Sequence, residues 1–136
     1  MVLQSILPAF ITVLALLLYA GVCGNVLRVR RRSGIRAPAV TGAADFERAF
    51  RVQQNTLEQL VLFLPALWLF CFFLSPLWGA GIGLVWIIGR ILYAVCYLRD
   101  PESRIPGFAI GWASALILLI GAVVGVLHAL WLTGST

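Results

Sequence analysis

Charged and amide side chains are dense from Asp45 to Gln59 and then stop, because the run from Leu60 to Leu74 carries no charge. On a helix of about 3.6 residues per turn, Glu47, Arg51, Asn55 and Glu58 fall within roughly 80° of one another and form one polar stripe. No acidic or basic residue follows Glu58 until Arg90, so the stretch must enter a membrane as a hairpin that turns near Ser75 and Pro76. Each leg then offers about 14 uncharged residues, about 21 Å at 1.5 Å per residue, against a hydrocarbon core of about 30 Å. The legs are too short to keep Glu58 and Arg90 outside. A charge below the membrane surface costs roughly 2.5 to 3.5 kcal/mol on insertion scales, which makes both residues candidate functional groups. Arg90, Tyr93 and Tyr97 share a face of the second leg. With the legs antiparallel about Pro76, Tyr93 is expected level with Glu58 and Tyr97 level with Asn55. A plainer account makes Arg90 and Glu58 a structural ion pair and the tyrosines interfacial belt residues.

The elements that must hold these groups are membrane helices. The chain has 136 residues, 62% of them hydrophobic and 11% charged, with a mean hydropathy of +1.01, values outside the range of a soluble domain. Its net charge of +5 comes from ten arginines and no lysine, and seven of the ten lie between Arg28 and Arg51. Such a cluster beside an apolar span reads as a cytoplasmic-side signal and not as a nucleic-acid surface. Cys23, Cys71 and Cys96 are odd in number and each sits in an apolar run, which fits buried hydrophobes better than a disulfide or metal framework. No metal or resident cofactor is implied.

In chain order the spans are expected at about residues 5–27, 45–75, 77–98 and 107–132, one four-span domain of class all-α. The first is read as retained, because no basic region precedes it and its apolar run is too long for a cleaved signal. Gly34, Pro38 and Gly42 break any helix and give a loop of about 15 residues, the second helix starts near Asp45, and a bend is expected at Pro65. The third loop, Arg99 to Arg104, is short and mixed in charge, and His128 in the last span is read as interfacial. Gly107 with Gly111 and Gly121 with Gly125 have the spacing that lets helices approach closely, within or between chains. Arginine counting puts the first and third loops in the cytoplasm and both termini outside.

These residues resemble the MAPEG family, the membrane-associated proteins in eicosanoid and glutathione metabolism. The resemblance is carried by Phe46-Glu47-Arg48 followed by Arg51, Gln53, Asn55 and Glu58, supported by Arg90, Tyr93, Tyr97 and Arg104 and by the arginines after the first span. It covers nearly the whole chain and implies a trimer of four-helix protomers with glutathione, a co-substrate, curled between adjacent protomers. It assigns Arg51 and Asn55 to the carboxylate of the γ-glutamyl group and Glu58 to its amino group. Arg30 and Gln53 would meet the glycyl carboxylate, Tyr93 and Tyr97 would complete the wall, and Arg104 would hold the thiolate. Arg31 is the second arginine implied near the thiol, with Arg30, Arg31 and Arg32 consecutive and their roles open to a shift of one. Gln59 departs from the tyrosine of eicosanoid-forming members, which removes an aromatic contact to glutathione and argues against a leukotriene substrate.

The implied chemistry is formation of a thiolate beside a hydrophobic electrophile arriving from the bilayer. A thiol of pKa about 8.5 is mostly protonated at neutral pH, and a guanidinium in hydrogen-bond reach favours its anion. Attack on carbon gives a thioether; attack on a hydroperoxide oxygen gives an alcohol, a glutathione peroxidase activity. A non-catalytic lipid- or glutathione-binding scaffold remains the alternative. A small proton-coupled transporter is a third reading, disfavoured because Glu58 lies toward the cytoplasmic end beside Arg51 and Asn55.

Overall fold

The computed structural model describes residues 2–135, with the side chains of residues 2–4 left out of account. Four long helices follow one another: α1, Val2–Arg32; α2, Ala44–Phe73; α3, Pro76–Arg99; and α4, Ile105–Gly134. A single 3-10 turn, Pro101–Arg104, joins α3 to α4. Each helix contains a stretch long and apolar enough to cross a bilayer. Their outward faces carry exposed Leu, Ile, Val, Phe and Trp side chains, as lipid requires. The protein is therefore a multi-pass integral membrane protein with an all-α four-helix bundle.

Local sequence explains the ends. α1 continues past Leu27 through Arg28, Arg30 and Arg31 to Arg32, so these four cations project from a helix end, and Arg36 alone lies in the loop that follows. Placed there they also complement the C-terminal dipole of the helix. Gly34 and Gly42 take the left-handed φ values of +68° and +148° that turn the chain back. The Glu47 carboxylate accepts the Gly42 N–H at 2.9 Å, and Asp45 makes an ion pair with Arg32 at 3.8 Å. Ser75 caps α3 by accepting the Trp78 N–H, with Pro76 in the first turn where its missing N–H costs nothing. α2 runs unbroken through Pro65.

The core lies between α2 and its neighbours, with Phe63 stacked on Trp86 at 3.9 Å between ring centres and Ile11, Leu67, Ala115 and Leu118 fully buried around them. Glycines set the approach of α3 to α4. A Cβ on Gly107 would fall on the backbone of Tyr93, and one on Gly89 would come within 2.9 Å of the Gly111 nitrogen. Lower on α4, Gly121 and Gly125 receive Phe70, Phe73 and Leu74 from the α2 end of the hairpin. Both glycine pairs thus pack within the chain.

The hairpin register differs from the one expected for legs symmetric about Pro76. Near the turn Gly79 meets Cys71, but further along Trp86 bonds Gln59, Arg90 bonds Asn55 and Thr56, and Tyr93 packs on Val52. Tyr93 therefore lies about one and a half turns nearer the arginine-rich end than Glu58. Leu74 and Ser75 are outside both helices, which moves the centre of the hairpin before Pro76.

Because the α3–α4 seam has no room for a methyl group against backbone, Gly107→Ala should destabilise the bundle by about 1 to 3 kcal/mol, the usual range for overpacking. Gly24→Ala, where nothing lies within 4 Å, should be neutral or better. Thermal unfolding of the two variants in one detergent checks the contrast.

Candidate functional site

The stripe on α2 faces a groove that α3, the 3-10 turn and the start of α4 close from the other side. Its central cavity, about 440 Å³, is lined by Arg51, Asn55, Tyr93, Tyr97, Arg104, Ile105 and Phe108. Toward the first loop it continues into a space of about 430 Å³ that shares Arg51 and Tyr97 and adds Glu47, Arg48 and Gln54. Toward the membrane interior it continues into about 290 Å³ that shares Asn55 and Phe108 and adds Glu58, Gln59, Leu62, Trp112 and Ala115. The groove is thus polar along its α2 wall as far as Glu58, with Leu62, Phe108, Trp112 and Ala115 gathered at its deep end.

Packing positions each wall. Tyr93 is buried, held by Val22 and Val52 on one side and by Tyr97 and Phe108 on the other, with ring centres 5.5 and 6.3 Å away. The Arg104 guanidinium donates to the Pro101 carbonyl at 2.8 Å and lies 5.8 Å from the Tyr97 ring, exposed at the mouth. Arg48 donates to the Arg99 carbonyl at 3.4 Å, tying the start of α2 to the end of α3. Arg51 and Glu58 are exposed on the groove and Asn55 is half-buried between them.

Behind this wall sits a buried polar network. Arg90, only 1% exposed, donates to Asn55 Oδ1 at 2.9 Å and to Thr56 Oγ1 at 2.7 Å, with its guanidinium 4.2 Å from the centre of the Tyr93 ring. Thr56 in turn donates to the Val52 carbonyl at 2.7 Å. Trp86 donates its indole N–H to Gln59 Oε1 at 3.1 Å. The Arg90–Glu58 ion pair entertained from the sequence does not form: among the described residues the one pair within 4 Å is Arg32 with Asp45. A helical step explains it, since Glu58 continues the exposed stripe and Thr56 faces the bundle. Gln59 is also turned inward, 4% exposed, so it serves Trp86 first and reaches the groove only at its deep end.

Arg30, Arg31 and Gln53 lie elsewhere. Gln53 is about 200° around the helix from both Arg51 and Asn55. Its amide donates to the Tyr19 hydroxyl on α1 at 3.2 Å. Arg30 covers the Phe46 ring at 4.5 Å and donates to the Ala39 carbonyl at 2.9 Å. Arg31 is exposed beside Gly34, Ile35 and Arg36. The nominated residues therefore divide between two faces of one protomer. Sequence reasoning passed over Thr56, Trp86 and Tyr19. Thr56 is the inward neighbour of Asn55, and Tyr19 is the one aromatic hydroxyl in an apolar helix, a signal that was available.

Comparison with known proteins shows which family the chain matches. The MAPEG family model matches residues 8–124. An uncharacterized protein of Synechocystis is 51% identical over 120 residues, covering 88% of each chain. Human microsomal glutathione S-transferase 2 is 35% identical over 121 residues, 88% of this chain and 82% of that one. Guinea-pig leukotriene C4 synthase is 33% identical over 121 residues, 89% and 81% of the two chains.

Proposed function

Because the chain belongs to the MAPEG family, we propose that it is a membrane-bound glutathione transferase that activates the glutathione thiol for attack on hydrophobic electrophiles. The observation that carries this reading is the groove in which Arg51, Asn55 and Glu58 on one stripe of α2 face Tyr93, Tyr97 and Arg104. A guanidinium and an amide suit a carboxylate, and a carboxylate nearby suits an ammonium, which together match the zwitterionic γ-glutamyl end of the peptide. The names of the microsomal glutathione transferase and leukotriene C4 synthase relatives point the same way.

Arg104 at the mouth is assigned to the thiol. A guanidinium stays charged in a partly dry site and cannot take the proton, so it lowers the thiol pKa by stabilising the anion alone. The proton leaves to solvent. The thiolate attacks an electrophilic carbon to form a thioether, expelling a leaving group or opening a strained or polarised bond that solvent protonates; or it attacks a hydroperoxide oxygen, breaking the O–O bond to release the alcohol and a sulfenic acid that a second glutathione converts to the disulfide and water. The side of the deep part formed by Leu62, Phe108, Trp112 and Ala115, beside Glu58, offers the electrophile a route from the bilayer. Arg104→Ala should leave most glutathione affinity but raise the pKa of the bound thiol and cut turnover at neutral pH. Since thiolate forms unaided as pH rises, the rate should recover partly at alkaline pH. Thiolate absorbance against pH, together with rates on one electrophilic aromatic, measures both; an unchanged thiol pKa with an undiminished rate transfers the role to Arg31. Saturable binding without turnover in the unmodified protein would instead mark a scaffold.

The placement of Gln53 on the face of α2 turned away from the groove, and of Arg30 and Arg31 at the end of α1, supports a site completed by a second copy, as expected for a trimer. If each site takes Arg51 from one protomer and Gln53 from the next, a trimer mixed from Arg51→Ala and Gln53→Ala chains always contains one intact interface. Co-purified mixed trimers should then regain about one third of the wild-type glutathione sites, whereas a site within one protomer regains none. Titration of doubly tagged trimers decides it.

The arginine-rich ends of α1 and α2, with the 3-10 turn, are proposed to face the cytoplasm and both termini to lie outside. A reporter active only in the cytoplasm should stay silent when fused after Thr136; an active one reverses the orientation.

A further inference from the structure

Among the described residues Arg90 is the most deeply buried cation, and Asn55 is the member of the exposed stripe to which it is hydrogen-bonded. Its 1% exposure, its two donor contacts of 2.9 and 2.7 Å and its position over Tyr93 hold it in one place. Gly111 on α4 closes the back, where a Cβ would come within 3.3 Å of the arginine chain and 3.1 Å of Gln59 Oε1. No carboxylate of the described residues lies within 4 Å of it. A structural arginine in such a place is ordinarily paired, because an unpaired buried charge is costly. What Arg90 touches instead is a groove residue, a hydroxyl and a groove tyrosine.

The asymmetry of the amide gives this contact a consequence. An asparagine side chain offers an acceptor oxygen on one side and a two-hydrogen donor on the other, and either end can be turned toward a ligand. A guanidinium has donors only. With Arg90 NH1 on Oδ1, the Asn55 amide has its donor end left for the groove it lines beside Arg51. Thr56 secures the same geometry from the other side: its hydroxyl hydrogen goes to the Val52 carbonyl, leaving its oxygen to accept from Arg90 NH2. We propose that Arg90 is a positioning residue that fixes Asn55 with its N–H groups toward the groove and so makes the site selective for a carboxylate at that point. This rests on the glutathione reading and names the part of the ligand concerned, the α-carboxylate of the γ-glutamyl group.

The decisive variant is Asn55→Asp. It keeps an oxygen for Arg90, now as an ion pair, but replaces the donor facing the groove by a second carboxylate oxygen. Thermal stability and assembly in detergent should equal or exceed those of the unmodified protein, while glutathione affinity falls by about 10-fold or more. A glutathione analogue lacking the γ-glutamyl α-carboxylate should bind the two proteins alike. Arg90→Met frees the amide to rotate and should raise the KM for glutathione with kcat at saturation largely kept, and Arg90→Lys should lie between. Equal glutathione affinity in a stable Asn55→Asp protein, or the same loss toward the decarboxylated analogue, overturns the role of Arg90. Should Arg90→Met fail to fold, Arg90→Lys decides, because a stable lysine variant with an unchanged KM for glutathione overturns the role of Arg90. Absence of glutathione binding in the unmodified protein overturns the functional reading itself, a result distinguishable from the others because it precedes any substitution.

Discussion

α3 and α4 approach each other at Gly89, Gly107 and Gly111 without room for a methyl group: a Cβ on Gly107 or Gly89 would meet the backbone of the facing helix. In lipid there is no hydrophobic force between helices, so association depends on surfaces that fit and on polar groups that satisfy one another. The glycines supply the fit. Tyr93 and Arg90 lie on the stretch of α3 that this contact fixes, and the groove opens on the side where α4 cannot follow α3 any closer. A larger residue at Gly107 would separate the two walls that Tyr93 and Phe108 form.

Once that seam is fixed, the polar side chains behind it have little freedom. Arg90 reaches across to α2 because Asn55 and Thr56 are the acceptors at its height, and Trp86 finds Gln59 one turn deeper. Such bonds in a low dielectric are costly to leave unmade, and so they specify register more sharply than the surrounding leucines can. The one-sided drift of the hairpin, from Cys71 with Gly79 to Val52 with Tyr93, is the register at which these partners meet.

How much of this was legible before any coordinates depended on whether a residue's role is local. The four spans follow from uninterrupted apolar runs, and the stripe of Glu47, Arg51, Asn55 and Glu58 follows from helical geometry alone. The ends of α1 were less so, because arginines after an apolar run look like loop and yet extend the helix by more than a turn. Pairing across helices was least legible. Counting residues from Pro76 assumed a symmetric turn, whereas Leu74 and Ser75 lie outside the helices and the register drifts further along the legs, so that Tyr93 meets Val52 and not Glu58. Gln59 reads from spacing as a neighbour of Glu58 and belongs instead to Trp86, because one helical step is about 100°. The match of residues 8–124 to the MAPEG model shows that the motif carried family information that these pairings did not.

α2 finally explains why charges occur so far into an apolar bundle. Its inward face, Val52, Thr56, Leu60 and Phe63, is committed to the core, and its polar stripe lies uncovered along the groove while Gln53 lies uncovered by other helices except for Tyr19. A helix with two polar faces is a poor lipid-facing surface, since each exposed charge would meet hydrocarbon without a partner. The arrangement becomes economical when polar faces of neighbouring copies are turned toward each other and a charged ligand fills the space between them. Under that proposed arrangement the same residues that make a lone copy ill-suited to the bilayer would bind the ligand, and the end of the groove lined by Leu62, Phe108 and Trp112 would be where a lipid-soluble partner meets it.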